Sequence, residues 1–152
     1  NQKFKKGLFL NTRELNKFVD QCIEEFEIAC TGSSSSVKFL SGGNIQKVII
    51  AREFCSGANF ILANQPTRGI DIGTTDLIRR LLVRYTREKG YGSLLISSDL
   101  NEIMEVSDRL LVMHKGKFVA QFTDLKKLTT DELGEYMLGV KTMTKEEMGD
   151  LF

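Results

Sequence analysis

No apolar run in these 152 residues approaches the ~18 needed to cross a bilayer as a helix, so the sequence offers no transmembrane segment. Charge of one sign is equally scarce. The 21 Lys and Arg are balanced by 20 Asp and Glu, leaving a net charge of +1, which argues against the strongly basic footprint of nucleic-acid binding. Cys22, Cys30 and Cys55 are odd in number and include no Cys-x-x-Cys, so they read as buried thiols of a reducing compartment and not as a disulfide or metal framework. The five methionines show no ligand spacing, and the single histidine, His114, stands beside a turn, where a surface or turn role is expected over catalysis. The pattern Gly-x-x-x-x-Gly-Lys-Ser/Thr is absent, and without its lysine and hydroxyl the chain cannot build a whole nucleotide site. The opening Asn1-Gln2-Lys3-Phe4 reads neither as a signal peptide nor as a domain start, so a C-terminal piece of a longer protein is expected.

What is present suits one compact domain, since 41% hydrophobic residues are enough to fill a core. The most informative stretch is Leu40-Ser41-Gly42-Gly43-Asn44, leading into Ile45-Gln46-Lys47. Two glycines, a hydroxyl and the start of an amphipathic segment are the parts that aim backbone N–H groups and a helix N-terminus at a phosphate. Taken alone, the same residues read more readily as an ordinary turn. Further along, residues 60–71 are a short apolar run that ends in Asn64-Gln65-Pro66-Thr67-Arg68-Gly69, the pattern of a buried strand delivering side chains to a sheet edge. Ser93 to Asp99 repeats that design, and Asp108 to Lys117 reads as a strand and a tight turn.

Asn11 with Glu14 predicts a capped start for a helix over about 12–28, whose stripe of Leu15, Phe18, Val19, Cys22, Ile23 and Phe26 is expected to be plain core packing. Thr31 to Ser36 is a polar, flexible connector. Helices follow over about 43–54 and 74–89, with Lys47 and Arg52 expected on a solvated face. The second of these crosses over between strands at 60–63 and 94–97, which makes the strands parallel and the connection right-handed. Asp99, with Glu102 as reciprocal cap, opens a short helix; strands at 109–113 and 117–122 form an antiparallel hairpin about Lys115-Gly116. Thr129 with Glu132 starts a helix ending near Gly139, and the tail from Lys141 is expected to be disordered or loosely helical.

In this order and spacing the four segments resemble the signature loop, Walker B strand with D-loop, switch strand and C-terminal hairpin of the ATP-binding subunits of ABC transporters, over roughly residues 5–140. Pro66-Thr67-Arg68-Gly69 and the asparagine of the signature resemble the second half of the double-length ATPases that serve simple-sugar and nucleoside importers. The resemblance implies an α/β fold: a partial P-loop NTPase (RecA-like) core with part of the helical subdomain, a largely parallel sheet and a C-terminal hairpin. It implies a helical-subdomain segment with the signature over 1–58, the C-terminal half of the core over 59–140 and a tail over 141–152. The phosphate loop, base-stacking aromatic and glutamine loop belong to a part that is not in this sequence.

The resemblance also implies where chemistry would sit. Walker B strands normally end in two acidic residues, one organising magnesium and one positioning the attacking water; here those positions are Asn64 and Gln65. An amide brings no negative charge to a hard cation that prefers carboxylates. Gln65 cannot take a proton near neutral pH, and general-base assistance is typically worth ~10²–10⁴-fold in rate. The position of the switch histidine is Ser98. Three such changes imply a naturally degenerate site, an engineered pair at Asn64 and Gln65 being the other reading.

The signature is intact, and ABC ATPases form head-to-tail sandwiches. Ser41, Gly42 and Gly43 would therefore meet the γ-phosphate of a nucleotide held elsewhere, with Asn44 and Gln46 supporting the loop and Asp71 crossing the same interface. Asp71 and Asp99 are equally good helix-start residues, and for Asp99 that reading is preferred. The implied cofactors are ATP and Mg2+ in the intact assembly, with neither expected on this piece, which alone should be inactive and has no metal site. The implied partners are the first ATPase half, transmembrane permease subunits and, indirectly, an extracytoplasmic solute-binding protein, but no nucleic acid. The implied location is the cytoplasmic face of the membrane. A catalytically inactive interaction or regulatory module is the alternative. DNA-repair and chromosome ATPases share Ser-Gly-Gly but lack Pro-Thr-Arg-Gly and insert long heptad stretches.

Overall fold

Asn11 opens the first helix as its sequence implies: its side-chain oxygen accepts the Glu14 N–H at 3.3 Å, satisfying a donor that the first helical turn leaves unpaired. The computed structural model describes residues 4–6 and 9–149 and divides into two compact units. One runs to Ile61 and resumes over Pro66–Leu94; the other comprises Leu62–Gln65 and the chain from Leu95 onward.

The first unit begins with a short antiparallel pair, β1 (Lys5–Lys6) and β2 (Phe9–Leu10), followed by α1 (Thr12–Glu25). The helix stops short of residue 28 because Phe26 caps it and Glu27 turns the backbone left-handed at φ 51°. Its apolar stripe departs from the expected core packing. No residue of α1 itself is buried, and Phe18, Val19, Cys22 and Ile23 line an apolar cavity of about 690 Å³ together with Ile28, Val37, Leu40, Val48 and Ala51. The thiols are likewise half-buried, with the sulfurs of Cys22 and Cys55 in contact at 3.5 Å.

The core of this unit lies between α2 (Gly42–Phe54) and α3 (Ile72–Lys89), where Ile50, Ala51 and Phe54 are buried with Leu77, Ile78, Leu81, Leu82 and Tyr85. Phe26 joins them, and the rings of Phe26, Phe54 and Tyr85 form one cluster whose closest pair, Phe54 and Tyr85, meets edge-on at 4.3 Å. Glu25 accepts the Tyr85 hydroxyl at 2.9 Å and an Arg84 N–H at 2.7 Å, so the phenol's one polar atom is satisfied. Burial, and then the carboxylate, push the Tyr85 phenol well above its ordinary pKa. Gly90, at φ 68°, ends α3 with the left-handed cap that a side chain disfavours.

Strands β3 (Phe60–Asn64) and β4 (Gly92–Ile96) pair in one two-stranded sheet. Gly92 N–H donates to Asn59 carbonyl and, further on, Gln65 N–H donates to Ile96 carbonyl. Both strands ascend together, so they are parallel, with α3 as the crossover.

The second unit holds α4 (Leu100–Val106), the hairpin β5 (Leu110–His114) and β6 (Lys117–Phe122), α5 (Thr130–Met137) and α6 (Lys145–Met148). The hairpin is antiparallel about Lys115-Gly116, with a register shift between Val112 and Met113. The hairpin contributes Leu110, Val112, Val119 and Ala120 to a core completed by Ile103, Leu128 and Leu133. His114 is structural, its ring nitrogen Nδ1 lying 2.9 Å from the Met137 carbonyl.

Asp99 caps α4, accepting Asn101 N–H at 2.9 Å and Glu102 N–H at 3.1 Å, and its own N–H donates to Ser97 Oγ at 3.0 Å. Of the two readings of the tail, the helical one holds. The tail is ordered as far as residue 149: Met143 N–H donates to Val119 carbonyl at 2.8 Å, and a capping box between Thr144 and Glu147 starts α6. Residues 150–152 lie outside the described residues. Among the described residues no helix is long and apolar enough to cross a membrane.

Candidate functional site

Ser41 is the N-cap of α2, with extended backbone at φ −65° and ψ 160°. Its hydroxyl oxygen accepts two bonds, from Asn44 N–H at 3.4 Å and from the Asn44 side-chain amide at 2.9 Å. The Asn44 amide oxygen in turn accepts Ala29 N–H at 2.8 Å, tying the helix start to the segment that leaves α1. Lys47 is a second tie. It was expected on a solvated face, yet it is half-buried and donates from Nζ to the Glu27 carbonyl at 2.8 Å. Arg52 fits the expectation, exposed beside Glu53. Ser41 and Gly42 lie exposed, while Gly43 and Asn44 are half-buried.

The loop after β3 is held against this helix start within the same unit. Gln46 donates its side-chain amide to Pro66 carbonyl at 2.9 Å. Asp71 caps α3, accepting Thr74 N–H at 2.9 Å and the Thr74 hydroxyl at 2.8 Å. The Thr74 N–H, followed by its hydroxyl, holds the Asp71 carboxyl below its ordinary pKa. A Cβ on Gly43 would stand 2.9 Å from an Asp71 carboxylate oxygen and 3.0 Å from the Thr74 hydroxyl, so only glycine lets α2 approach this closely. A Cβ on Gly42 would meet nothing within 4 Å. Gly43→Ala is therefore expected to destabilise the protein by ~1–3 kcal/mol through overpacking. Gly42→Ala should be neutral or slightly stabilising, and the two denaturation midpoints measured side by side check the contrast.

A second group sits in the other unit. Asn64 ends β3 and is exposed; Gln65 follows it in the left-handed region at φ 50° and is half-buried. The Gln65 amide donates to Ser98 Oγ at 3.3 Å, and the Ser98 hydroxyl is 3.5 Å from the Gln65 amide oxygen. Neither end offers a carboxylate. Among the described residues no group of three or more His, Cys, Asp and Glu could hold a metal ion.

The structure thus gathers Ser41, Gly42, Gly43, Asn44, Gln46 and Asp71 around one helix start, and pairs Gln65 with Ser98 beside Asn64. Thr74 is a support that the sequence did not single out, and Lys47 one that it placed on a solvated face. The spacing of Asp71 and Thr74, three residues apart at a helix start, was the available signal for Thr74; Lys47 carried none.

No family model matches the chain. It is 38% identical over 131 residues to the nucleoside import ATP-binding protein NupA of Lactococcus lactis, covering 86% of this chain and 26% of that protein. It is 37% identical over 123 residues to the glucose import ATP-binding protein TsgD13 of Haloferax volcanii, covering 80% of this chain and 22% of that one. A dimeric ATP-binding cassette in a post-hydrolysis state with ADP and Pi superposes with a TM-score of 0.65 at 26% identity, over 79% of this chain and 50% of that one. The chain belongs to the ABC ATP-binding proteins. It spans about a quarter of the length of the curated ABC relatives it matches. Within the first unit the start of α2 meets the chain after β3 at Pro66 and Asp71.

Proposed function

We propose that this chain is part of the ATP-binding subunit of an ABC importer for simple sugars or nucleosides, from its second ATPase half, and that it lends its signature in trans to ATP held by the first half. The names of the relatives, import proteins for nucleosides, glucose and ribose, support the solute class. The observation that carries the reading is the exposed start of α2. The first turn of a helix leaves its N–H groups without intrahelical partners, and here two of them belong to glycines beside an exposed serine. A terminal phosphate fits that surface.

A magnesium ion does not fit the other group. The amides of Asn64 and Gln65 and the hydroxyl of Ser98 supply no carboxylate, the ligand a hard cation prefers, so the ion that accompanies ATP is weakly served there. The site formed with this chain's own Walker B strand is therefore degenerate, binding nucleotide with little turnover, and hydrolysis runs at the site completed by Ser41 to Gly43. The assembly includes the first ATPase half and permease subunits, with an extracytoplasmic binding protein delivering the solute, and it works at the cytoplasmic face of the membrane.

The test is transport by the complete ATPase with its permease in vesicles. Asn64→Ala and Gln65→Ala are expected to change ATP-driven uptake by less than ~3-fold, because no general base worth ~10²–10⁴-fold is lost. A loss of two orders of magnitude in either variant would overturn the assignment of a degenerate site. Uptake that survives disruption of the signature as well would leave the chain an inactive regulatory module.

A further inference from the structure

A serine hydroxyl has one proton to donate and two lone pairs with which to accept. At Ser41 both lone pairs are in use, one on the Asn44 backbone N–H at 3.4 Å and one on the Asn44 side-chain amide at 2.9 Å. The direction of the second bond is fixed from the far side. The Asn44 amide oxygen is held by Ala29 N–H at 2.8 Å, so the NH2 group is the end turned toward Ser41. The hydroxyl is left with a single capacity, to donate its own proton, and it sits exposed at the start of α2.

From this geometry we infer that Asn44 is a positioning residue, which makes Ser41 a donor only and so aims its proton at an incoming phosphate oxygen. The inference rests on the reading that Ser41 meets the terminal phosphate of ATP in trans, and it adds to that reading the reason the donor is oriented before ATP arrives. A donor preset toward developing charge needs no reorganisation during transfer, so its contribution falls on turnover more than on binding.

Asn44→Asp separates the roles of this side chain. One carboxylate oxygen still accepts Ala29 N–H, but the other can only accept, so the Ser41 hydroxyl turns inward to donate to it. In the complete ATPase with its permease, kcat for ATP is expected to fall ~10–100-fold at neutral pH with KM little changed, the range for a lost hydrogen bond to a charged group. As pH falls toward the titration of the new carboxyl, its protonated form donates to Ser41 again, and the ratio of variant to wild-type kcat should climb.

The added negative charge could itself repel phosphate, so the same substitution is made in a Ser41→Ala background. Action through Ser41 predicts a further loss below ~3-fold there, the non-additivity expected of coupled residues. Equal losses in both backgrounds, or a ratio that stays flat with pH, would overturn the role of Asn44 while leaving the trans signature in place. Full kcat in Ser41→Ala alone would overturn the trans signature, and this inference with it.

Discussion

Ser41→Arg in the complete ATPase is expected to remove ATP-driven uptake almost entirely, by ~10²–10³-fold, the range seen when a preset donor to a transition-state oxyanion is lost. Two effects act in the same direction. The guanidinium fills the exposed space in front of Gly42 and Gly43, where a phosphate would approach the first-turn N–H groups. The substitution also removes the hydroxyl proposed to donate to the phosphate. The fold should survive the change. The serine accepts Asn44 N–H as an N-cap, and losing such a cap costs ~0.5–2 kcal/mol, well within what a folded domain tolerates. Thermal melting of the purified variant, shifted by only a few degrees, would separate a blocked site from an unfolded one. Uptake within a few-fold of wild type would remove the signature from the mechanism.

The elements that sequence made legible are those whose signal is local. Asn11, Asp99 and Thr129 each announce a helix start, and each is an N-cap in the structure. The hairpin about Lys115-Gly116 is equally visible, because two left-handed residues are needed in so tight a turn and glycine supplies one of them without strain. What stayed illegible depends on residues far apart in the chain. Lys47 looks like any surface lysine until the left-handed turn at Glu27 brings a carbonyl within its reach. Met143 gives no hint that a charged tail will dock on β6, since a single backbone bond to Val119 and the packing of one thioether do it. The α1 stripe has the right period for burial, but periodicity says which residues share a face and not how completely a neighbour covers it.

The site shows the same division. Ser41, Gly42, Gly43 and Asn44 are consecutive and could be read as a unit. The reason Gly43 has to be glycine could not, because it lies in the Asp71 carboxylate and Thr74 hydroxyl, which reach it only once α2 and α3 have packed. Substituting the second glycine therefore disturbs the cap of a different helix. The start of α2 and the chain from Pro66 to Asp71 are accordingly one mechanical piece, joined by Gln46 to Pro66 and by the close approach at Gly43.

Phe54→Ala is expected to destabilise the protein by ~3–5 kcal/mol, the range for emptying a buried aromatic site. Phe54 is 4% exposed and meets Tyr85 edge-on at 4.3 Å, with Phe26 at 6.1 Å from it and 6.2 Å from Tyr85. Tyr85 cannot relax into the vacated space without giving up its bond to Glu25, so the cavity is held open by a polar contact and the penalty should lie toward the upper end. Phe54 is also the last residue of α2, whose first turn carries the glycines proposed to meet phosphate. Thirteen residues at ~1.5 Å each place the two ends roughly 20 Å apart, so the aromatic cluster anchors the helix from the end remote from its working surface. Uptake by the complete assembly should consequently fall along with the denaturation midpoint. Tyr85→Phe, which keeps the rings and deletes only the hydroxyl, should lower stability by ~1–3 kcal/mol, the range for a lost hydrogen bond to a charged group, and leave uptake near wild type. If Tyr85→Phe lowers uptake as far as Phe54→Ala does, the Glu25 contact and not ring packing is what holds the signature helix in place.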